Sequence, residues 1–221
     1  MNYQKTSLNT IKRGAKKASY NKEVVYGILD STEVCHVAFM VEGRPMVQPI
    51  NYGRKDEFLY LHGSYQNRMT SALIQSGEVT LNVLLLDSMK LTRSAFNHSV
   101  NYRSVVVFGS VKELTTNEEK LDGLKHIINH FVPGRWDDCR KPNDKELKAT
   151  RVVEIKIETA SAKVANTPGA EKKKDYKLSH WAGVIPIKQI CDYPIPDDRM
   201  DTGTEIPKYL LEFYEKRKDG I

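Results

Sequence analysis

Residues 92–109, TRSAFNHSVNYRSVVVFG, decide how the rest of the chain is interpreted. The stretch begins as a β-type run and ends in the apolar strand pattern of residues 102–109. Between the two lies a polar break made of Ser94, Asn97, His98, Ser99 and Asn101. Strands favour β-branched and aromatic residues, so a sheet that gives them up over several positions indicates a site of some kind. We therefore expect this break to border the functional site of the protein.

Length and composition describe a folded protein. The chain has 221 residues, of which 40% are hydrophobic and 28% charged, enough for one substantial domain or two small ones. The net charge of +6 would suit a nucleic acid or a phosphate-bearing ligand. The basic residues are scattered, however, and no nucleic-acid-binding signature accompanies them. We expect a solvated basic surface and no nucleic-acid partner.

The cysteines and the apolar runs bear on the compartment. Cys35, Cys139 and Cys191 are odd in number and far apart, which is typical of a reducing compartment and not of a disulfide framework or a zinc site. The N-terminus lacks the apolar segment of a signal peptide, and no apolar run approaches the roughly 20 residues that span a membrane. We expect a cytoplasmic protein with no membrane partner.

Standard catalytic and metal motifs do not fit. His126 and His130 have a metal-ligand spacing on a predicted helix, but no glutamate follows the first and no third ligand is evident. We interpret them as solvated helix histidines and expect no metal. Neither a Gly-x-Ser-x-Gly elbow nor a glycine-rich nucleotide loop occurs.

The apolar pattern predicts a mainly β protein. The run at residues 34–41 is apolar almost throughout, as in a strand buried on both faces. Short turns join it to strands at 45–52 and 57–62, which predicts a three-stranded antiparallel meander. The further predicted strands are 79–86 and 89–94, joined by a two-residue connection at Asp87 and Ser88, then 102–114 and 151–165. About seven strands indicate a small antiparallel barrel with peripheral helices, or a sandwich.

Helix signals and domain boundaries complete the outline. Asn21 caps a predicted helix near residues 20–29, and Thr116 with Glu119 forms a capping box for a helix that ends before Pro133. Other helices are predicted at 65–75, 144–149 and 207–218. Residues 1–19 are a basic arm, 20–195 the main domain and 196–221 a C-terminal extension. Within the main domain, residues 165–179 form a loop, after which residues 181–186 dock back on the barrel.

Two strand ends carry groups suited to a ligand. His62, Gly63 and Ser64 lead into a helix with Asn67 and Arg68, and this offers helix N–H groups, a hydroxyl and a guanidinium to a phosphate. The alternative is that Ser64 only caps the helix and Arg68 is solvated.

The second strand end is residues 48–52, whose proline places the strand at an edge or against a ligand. Its open backbone suits the polar edge of a flat heterocycle. A plain edge strand with a bulge is the alternative.

These residues resemble a known family. Residues 49–52 (PINY), 59–64 (LYLHGS) with Asn67 and Arg68, and 93–105 (RSAFNHSVNYRSV) are similar to the pyridoxamine 5'-phosphate oxidase-like split-barrel superfamily. The branch most resembled is that of flavin-nucleotide-binding and nitroimidazole-resistance proteins. Residues 133–136, 161–163 and 181–183 extend the likeness, which covers residues 12–195.

The resemblance implies a six-stranded split β-barrel that forms a homodimer with FMN between the subunits. Carried over by position, the phosphate and ribityl chain would contact His62, Gly63, Ser64, Asn67 and Arg68. The isoalloxazine would lie along Pro49, Ile50, Asn51 and Tyr52. Ser94, Asn97, His98 and Asn101 would complete the pocket, in part from the partner chain. Met69 stands where many relatives have a basic residue, so another cation would have to supply that charge.

The implied activity is that of an FMN-dependent oxidoreductase on a small molecule, since the flavin itself carries the redox chemistry. His98 is the candidate proton donor, because an imidazole titrates near neutrality, or else it is a structural pocket histidine. A protein that stores flavin without turnover is an alternative. A haem-binding relative is another, with His62 or His98 as the axial ligand.

Overall fold

The computed structural model describes residues 1–201 and 203–220. Within them, nine strands form one antiparallel sheet. The strands are β1 (Ala18–Ser19), β2 (Val34–Val41), β3 (Arg44–Asn51), β4 (Gly53–Lys55), β5 (Phe58–Ser64), β6 (Glu78–Leu91), β7 (Ser99–Leu114), β8 (Thr150–Ala165) and β9 (Gly183–Pro186). Their order is β3-β2-β6-β7-β8-β5-β4, with β1 added beside β8 and β9 beside β6. The mainly β antiparallel class is confirmed, with nine strands in place of the predicted six or seven.

The sheet curls into a barrel because its two end strands are neighbours in the chain. β3 ends at Asn51 and β4 begins at Gly53, so Tyr52 alone joins them. Tyr52 is fully buried, and its hydroxyl donates a hydrogen bond to the Leu29 carbonyl. A single sheet whose ends are tied together in this way is a barrel with an unpaired gap, and the sandwich alternative is wrong.

The predicted meander is only half correct. β2 and β3 form a hairpin whose turn contains Gly43 at a φ of 73°. β5, the expected third strand, pairs instead with β4 and β8 on the other side of the gap. That pairing places Leu59 and Leu61 in the barrel interior, where both are fully buried. A hydrophobic core made of distant strands therefore outweighs the local turn signal.

Two other strand predictions are wrong for the same reason. β2 buries only one face: Cys35 and Val37 point into the barrel, while His36 and Ala38 are exposed. The predicted hairpin at Asp87 is a β-bulge within the continuous strand β6. The extra residue bends a strand without ending it.

The Asp87 carboxylate lies 2.8 Å from Nη2 of Arg103 on the neighbouring strand β7. The polar side chain that suggested a turn is thus engaged in an ion pair across two strands.

Five α-helices lie around the barrel in the described part of the chain. They are α1 (Lys22–Leu29), α2 (Arg68–Ser76), α3 (Asn117–Phe131), α4 (Asp144–Ala149) and α5 (Lys208–Arg217). The predicted caps of α1 and α3 are confirmed: Asn21 accepts hydrogen bonds from two N–H groups of α1, and Thr116 and Glu119 form the capping box of α3. None of these helices is long and apolar enough to cross a membrane.

The two α3 histidines pack on tyrosines, so the expectation that they are solvated is wrong. The ring centroid of His130 lies 4.7 Å from that of Tyr52, and its Nε2 is 2.9 Å from the Thr32 carbonyl oxygen. The ring of His126 lies 5.0 Å from that of Tyr60. Both histidines thus fix α3 against the β4–β5 side of the barrel.

The N-terminal arm and the segment after the long loop both dock on the sheet. Asn9 is almost fully buried and donates hydrogen bonds to Thr159 and Ala160 of β8. β9 pairs with the outer end of β6, which confirms the predicted return of residues 181–186.

Candidate functional site

The first candidate cluster lies where β5 leads into α2. The helix begins at Arg68, three residues later than predicted, because Asn67 is its N-cap. The Asn67 side chain accepts hydrogen bonds from the N–H groups of Met69 and Thr70, at 2.9 and 3.2 Å. Those N–H groups are therefore not open to a phosphate. The Ser64 hydroxyl accepts a hydrogen bond from Gln66 and does not cap the helix.

Arg68 is the exposed cation of this turn. Its guanidinium makes no hydrogen bond or ion pair with any other residue that the structure describes. Gly63 lies next to it, and a Cβ there would come within 3.1 Å of the Asn67 side-chain amide. The turn thus presents the Ser64 hydroxyl and the Arg68 guanidinium to solvent. Gly63 could be replaced only by another small residue.

A second cation reaches the same turn from a neighbouring strand. Met69 is fully buried and faces the core, so it has no role at the surface. Arg151 of β8 lies opposite Gly63, and its guanidinium donates to the Ser71 hydroxyl at 2.6 Å and stacks on Tyr65 at 4.3 Å. Sequence reasoning missed Arg151, because the β5–β8 register that brings it here cannot be read from local pattern.

His62 lies near the end of β5, two residues before Ser64, and is half-buried. Its Nδ1 is buried and has no hydrogen-bond partner among the described residues. Burial lowers the pKa of the imidazole, which favours the neutral ring at neutral pH. A buried polar atom without a partner is unusual and marks a position where a ligand would add a missing contact.

The second cluster lies on β3, at one end of the sheet. β3 pairs only with β2 in the described chain, so the prediction of an edge strand is confirmed. Beyond Asn51 the chain enters β4, where Gly53 lies opposite Tyr60, two residues before His62. The Pro49–Ile50–Asn51 edge therefore lies on one side of the gap in the barrel, and the end of β5 that leads to Arg68 lies on the other. Tyr52 differs from them, since its burial in the core leaves it no surface for a ligand in this chain.

The third cluster forms a hairpin tip between β6 and β7. β6 ends at Leu91, and the short 3-10 helix Ala95–Asn97 precedes β7. Asn101 is buried with its amide fully used: Nδ2 donates to the Ser88 hydroxyl at 3.0 Å, and Oδ1 accepts from the N–H of Thr167 at 3.1 Å. Ser94, Asn97 and His98 surround the 3-10 turn, and His98 is the most open of them.

The structure does not bring this tip to the other two clusters within one protomer. His62 lies opposite Val152, which lies opposite Leu114 at the far end of β7. Asn101 lies near the start of the same strand. At roughly 3.3 Å per residue, about 40 Å of strand separates the two ends. One flavin in one protomer cannot contact both.

An apolar outer face spans the sheet between the two ends. Its exposed residues include Val34, Met40, Val47, Leu84 and Leu86, which are between 42% and 66% exposed on strands β2, β3 and β6. A groove of about 600 Å³ lies between this face and α2, and a depression of about 370 Å³ lies beside it. Both are bordered by Ala38 and Thr80. A continuous apolar surface of this kind is typical of an interface.

Comparisons with known proteins bear on all three clusters. A family model described as pyridoxamine 5'-phosphate oxidase matches residues 21–164. The chain is similar to the structure of the flavocytochrome Anf3 from Azotobacter vinelandii, with 34% identity and a TM-score of 0.87 over 94% of this chain and 96% of that one. It is also similar to an FAD and heme binding protein from Mycobacterium smegmatis, with 28% identity and a TM-score of 0.83 over 89% and 96% of the two chains.

A third likeness concerns the fold alone. A putative 5-nitroimidazole antibiotic resistance protein from Bacteroides thetaiotaomicron VPI-5482 has 24% identity and a TM-score of 0.57, over 66% of this chain and 86% of that one. No curated protein sequence matches the chain.

Proposed function

Because the chain belongs to the pyridoxamine 5'-phosphate oxidase family, we propose that it is a homodimeric flavoprotein that transfers electrons to or from a small molecule. The observation that carries the proposal is that the β3 edge lies on one side of the gap in the barrel, while the strand that leads to the uncommitted Arg68 guanidinium lies on the other. The similarity to a flavocytochrome over 94% of the chain supports it.

The residues at the gap fit the parts of a flavin nucleotide. Arg68 would form an ion pair with the phosphate, and the Ser64 hydroxyl would donate to it. Pro49, Ile50 and Asn51 would run along the ring, where the free backbone groups of an edge strand match its amide edge. The bound flavin would supply the hydride and electron chemistry, and the protein would bind and orient it.

The residues at the gap would contact the FMN portion of a flavin, which does not by itself distinguish FMN from FAD. FAD contains the same ring, ribityl chain and first phosphate, and the similar Mycobacterium smegmatis protein is described as FAD-binding. We propose FMN, or the FMN half of FAD, in this turn. Chromatography of the flavin released from the purified protein distinguishes the two, and a protein that binds neither would contradict the proposal.

The phosphate assignment can be tested with a ligand that lacks the phosphate. Arg68→Ala should weaken FMN binding by about ten- to a hundredfold, the equivalent of one charge-assisted hydrogen bond of about 1.5–3 kcal/mol. Riboflavin binding should not change. Arg199→Ala removes an exposed cation whose guanidinium, within residues 1–201 and 203–220, is hydrogen-bonded to Asp197, and it should leave both affinities unchanged. An equal loss for FMN and riboflavin would mean that Arg68 does not contact the phosphate.

The apolar outer face supports the proposed homodimer. Covering Val47, Leu84 and the grooves beside them would remove a large exposed apolar surface from water. A partner would also supply a second hairpin tip, so the predicted contacts of Ser94, Asn97 and His98 with the flavin would be made between subunits. The buried Asn101 amide is already engaged by Ser88 and Thr167 and would hold the tip in place.

A turnover assay distinguishes an oxidoreductase from a protein that only stores flavin. An oxidoreductase should be reduced by NADH, NADPH or dithionite and reoxidised by a nitroaromatic or another small acceptor. A protein whose reduced flavin no acceptor reoxidises would be a store. In the first case His98→Ala tests the proposed proton donor, since a donor gives a slower reoxidation with an altered pH profile.

We also propose haem as a second cofactor. Both of the most extensively similar structures reported above are described by two cofactors, one as a flavocytochrome and one as binding FAD and heme. The wide separation of the tip from the flavin turn leaves room for a second cofactor. A Soret band in the purified or hemin-titrated protein would support this part of the proposal.

A further inference from the structure

We propose that the haem lies on the hairpin tip formed by β6, β7 and β9, with Nε2 of His98 as the ligand to the iron. This inference rests on the proposed haem binding and adds to it a place and a ligand. In each protomer this role replaces the flavin contact and the proton-donor role considered for His98, because an Nε2 atom bound to iron is free for neither.

The imidazole of His98 is held in the orientation that a metal ligand needs. Its Nδ1 lies 3.1 Å from the Ser94 carbonyl oxygen. A carbonyl oxygen only accepts hydrogen bonds, so the neutral ring carries its proton on Nδ1. The lone pair then lies on Nε2, and the residue is exposed. Metal-bound histidines commonly donate their other ring N–H to a backbone carbonyl in this way.

An apolar surface adjoins the imidazole. Ile185 of β9, Met89 of β6 and Val100 of β7 lie side by side in register and are 42%, 41% and 37% exposed. Val100 is two residues from His98, which directly precedes β7. Phe96, in the 3-10 turn, is 89% exposed. A porphyrin is a large flat apolar ring, and this row offers it a matching surface beside the ligand.

Positive charge is available for the haem propionates. Glu171 forms an ion pair with Arg93 of the tip, at 2.8 Å. The exposed residues Lys172, Lys173 and Lys174 follow directly in the chain. The lysine run therefore starts next to the tip, where it can pair with two carboxylates.

His62, the other histidine considered as an axial ligand, lacks these features. The exposed residues of the adjoining turn are Ser64, Tyr65, Gln66 and Arg68. Tyr65 alone offers an aromatic ring, and the Arg151 guanidinium already stacks on it. Such a turn suits a phosphate, while a porphyrin face placed there would cover mostly polar groups and remove their solvation.

The test is a hemin titration of the full-length protein followed by its Soret band. His98→Ala should raise the haem dissociation constant at least tenfold and shift the Soret band, and added imidazole should restore the wild-type spectrum. His62→Ala should bind haem as the wild type does. Circular dichroism and the thermal unfolding midpoint serve as checks that the His98 variant is folded.

A second variant tests the apolar row without touching the ligand. Met89→Glu places a carboxylate on the proposed porphyrin surface, so haem affinity should fall while the Soret position of the remaining complex stays the same. If wild type and His98→Ala bind haem equally and with the same spectrum, or if His62→Ala loses it instead, the tip is not the haem site, although haem binding itself stands. A wild type that shows no Soret band overturns both the haem proposal and this inference.

Discussion

A Cβ atom on Gly53 would lie 2.5 Å from the carbonyl carbon of His126, so strand β4 and helix α3 touch backbone to backbone. No side chain other than hydrogen fits between them. We therefore expect Gly53→Ala to destabilise the protein by about 1–3 kcal/mol, since the helix must move away from the strand. Urea unfolding followed by circular dichroism measures the change.

Gly27→Ala is the matched control for this substitution. Gly27 lies in α1, and a Cβ there would meet no atom within 4 Å. Alanine has the higher helix propensity, so this variant should be unchanged or more stable by about 0.5–1 kcal/mol. Equal effects of the two substitutions would show that the contact with α3 is not the cause.

The apolar outer face predicts the effect of a charge at Val47, which is 66% exposed on β3. Val47→Glu should weaken the proposed homodimer by more than about tenfold, because an unpaired carboxylate buried in an interface costs several kcal/mol. Sedimentation velocity over a range of concentrations measures this. Val24→Glu, at a 38% exposed position of α1, should leave the dimer intact. A wild type that sediments as a monomer would refute the interface.

The capping box of α3 should make stability depend on pH. Hydrogen bonds from Lys112, and from the N–H groups of Thr116 and Thr115, lower the pKa of the Glu119 carboxyl from 4.5 to about 2. A lowered pKa means that the ionised carboxylate stabilises the folded state above pH 4.5 and that this contribution is lost as the pH falls toward 2. Wild type should thus be more stable than Glu119→Gln at pH 7, and the difference should shrink between pH 4.5 and 2. A constant difference would exclude ionisation as its origin.

The cysteines should differ in reactivity toward iodoacetamide. Burial in the barrel raises the pKa of the Cys35 thiol to about 12, so its thiolate fraction at pH 8 is on the order of 10⁻⁴. Cys139 and Cys191 are partly exposed. Mass spectrometry of the folded protein should find label on those two and not on Cys35, whereas urea should make all three react. Rapid labelling of Cys35 in the folded state would contradict its position in the core.

What the sequence predicted well depends on neighbours in the chain. The Asn21 cap, the capping box of Thr116 and Glu119, and the turn at Gly43 are interactions within a few residues, and all three are confirmed. Asp87 shows the limit, because a turn and a bulge use the same polar residue, and the choice between them depends on pairing with β7.

The candidate site likewise contains some features that local sequence predicts and others that it does not. The Ser64–Arg68 turn and the β3 edge were recognisable from local residues. Their position on the two sides of the gap depends on the strand order. The place of Arg151 opposite Gly63 and the distance to the hairpin tip depend on the register of β5, β8 and β7. Each register is fixed by burial of side chains from distant parts of the chain, which no single stretch of sequence displays.

Tyr52 has one further consequence as the residue that joins β3 to β4. The described strands on either side of the gap share no ladder, so covalent bonds set the width of the gap and hydrogen bonds do not. The circumference of the barrel at this place therefore depends on the number of residues between β3 and β4. A residue added beside Tyr52 would widen the gap without breaking any strand pairing, and would change the size of the opening at which the proposed flavin turn lies.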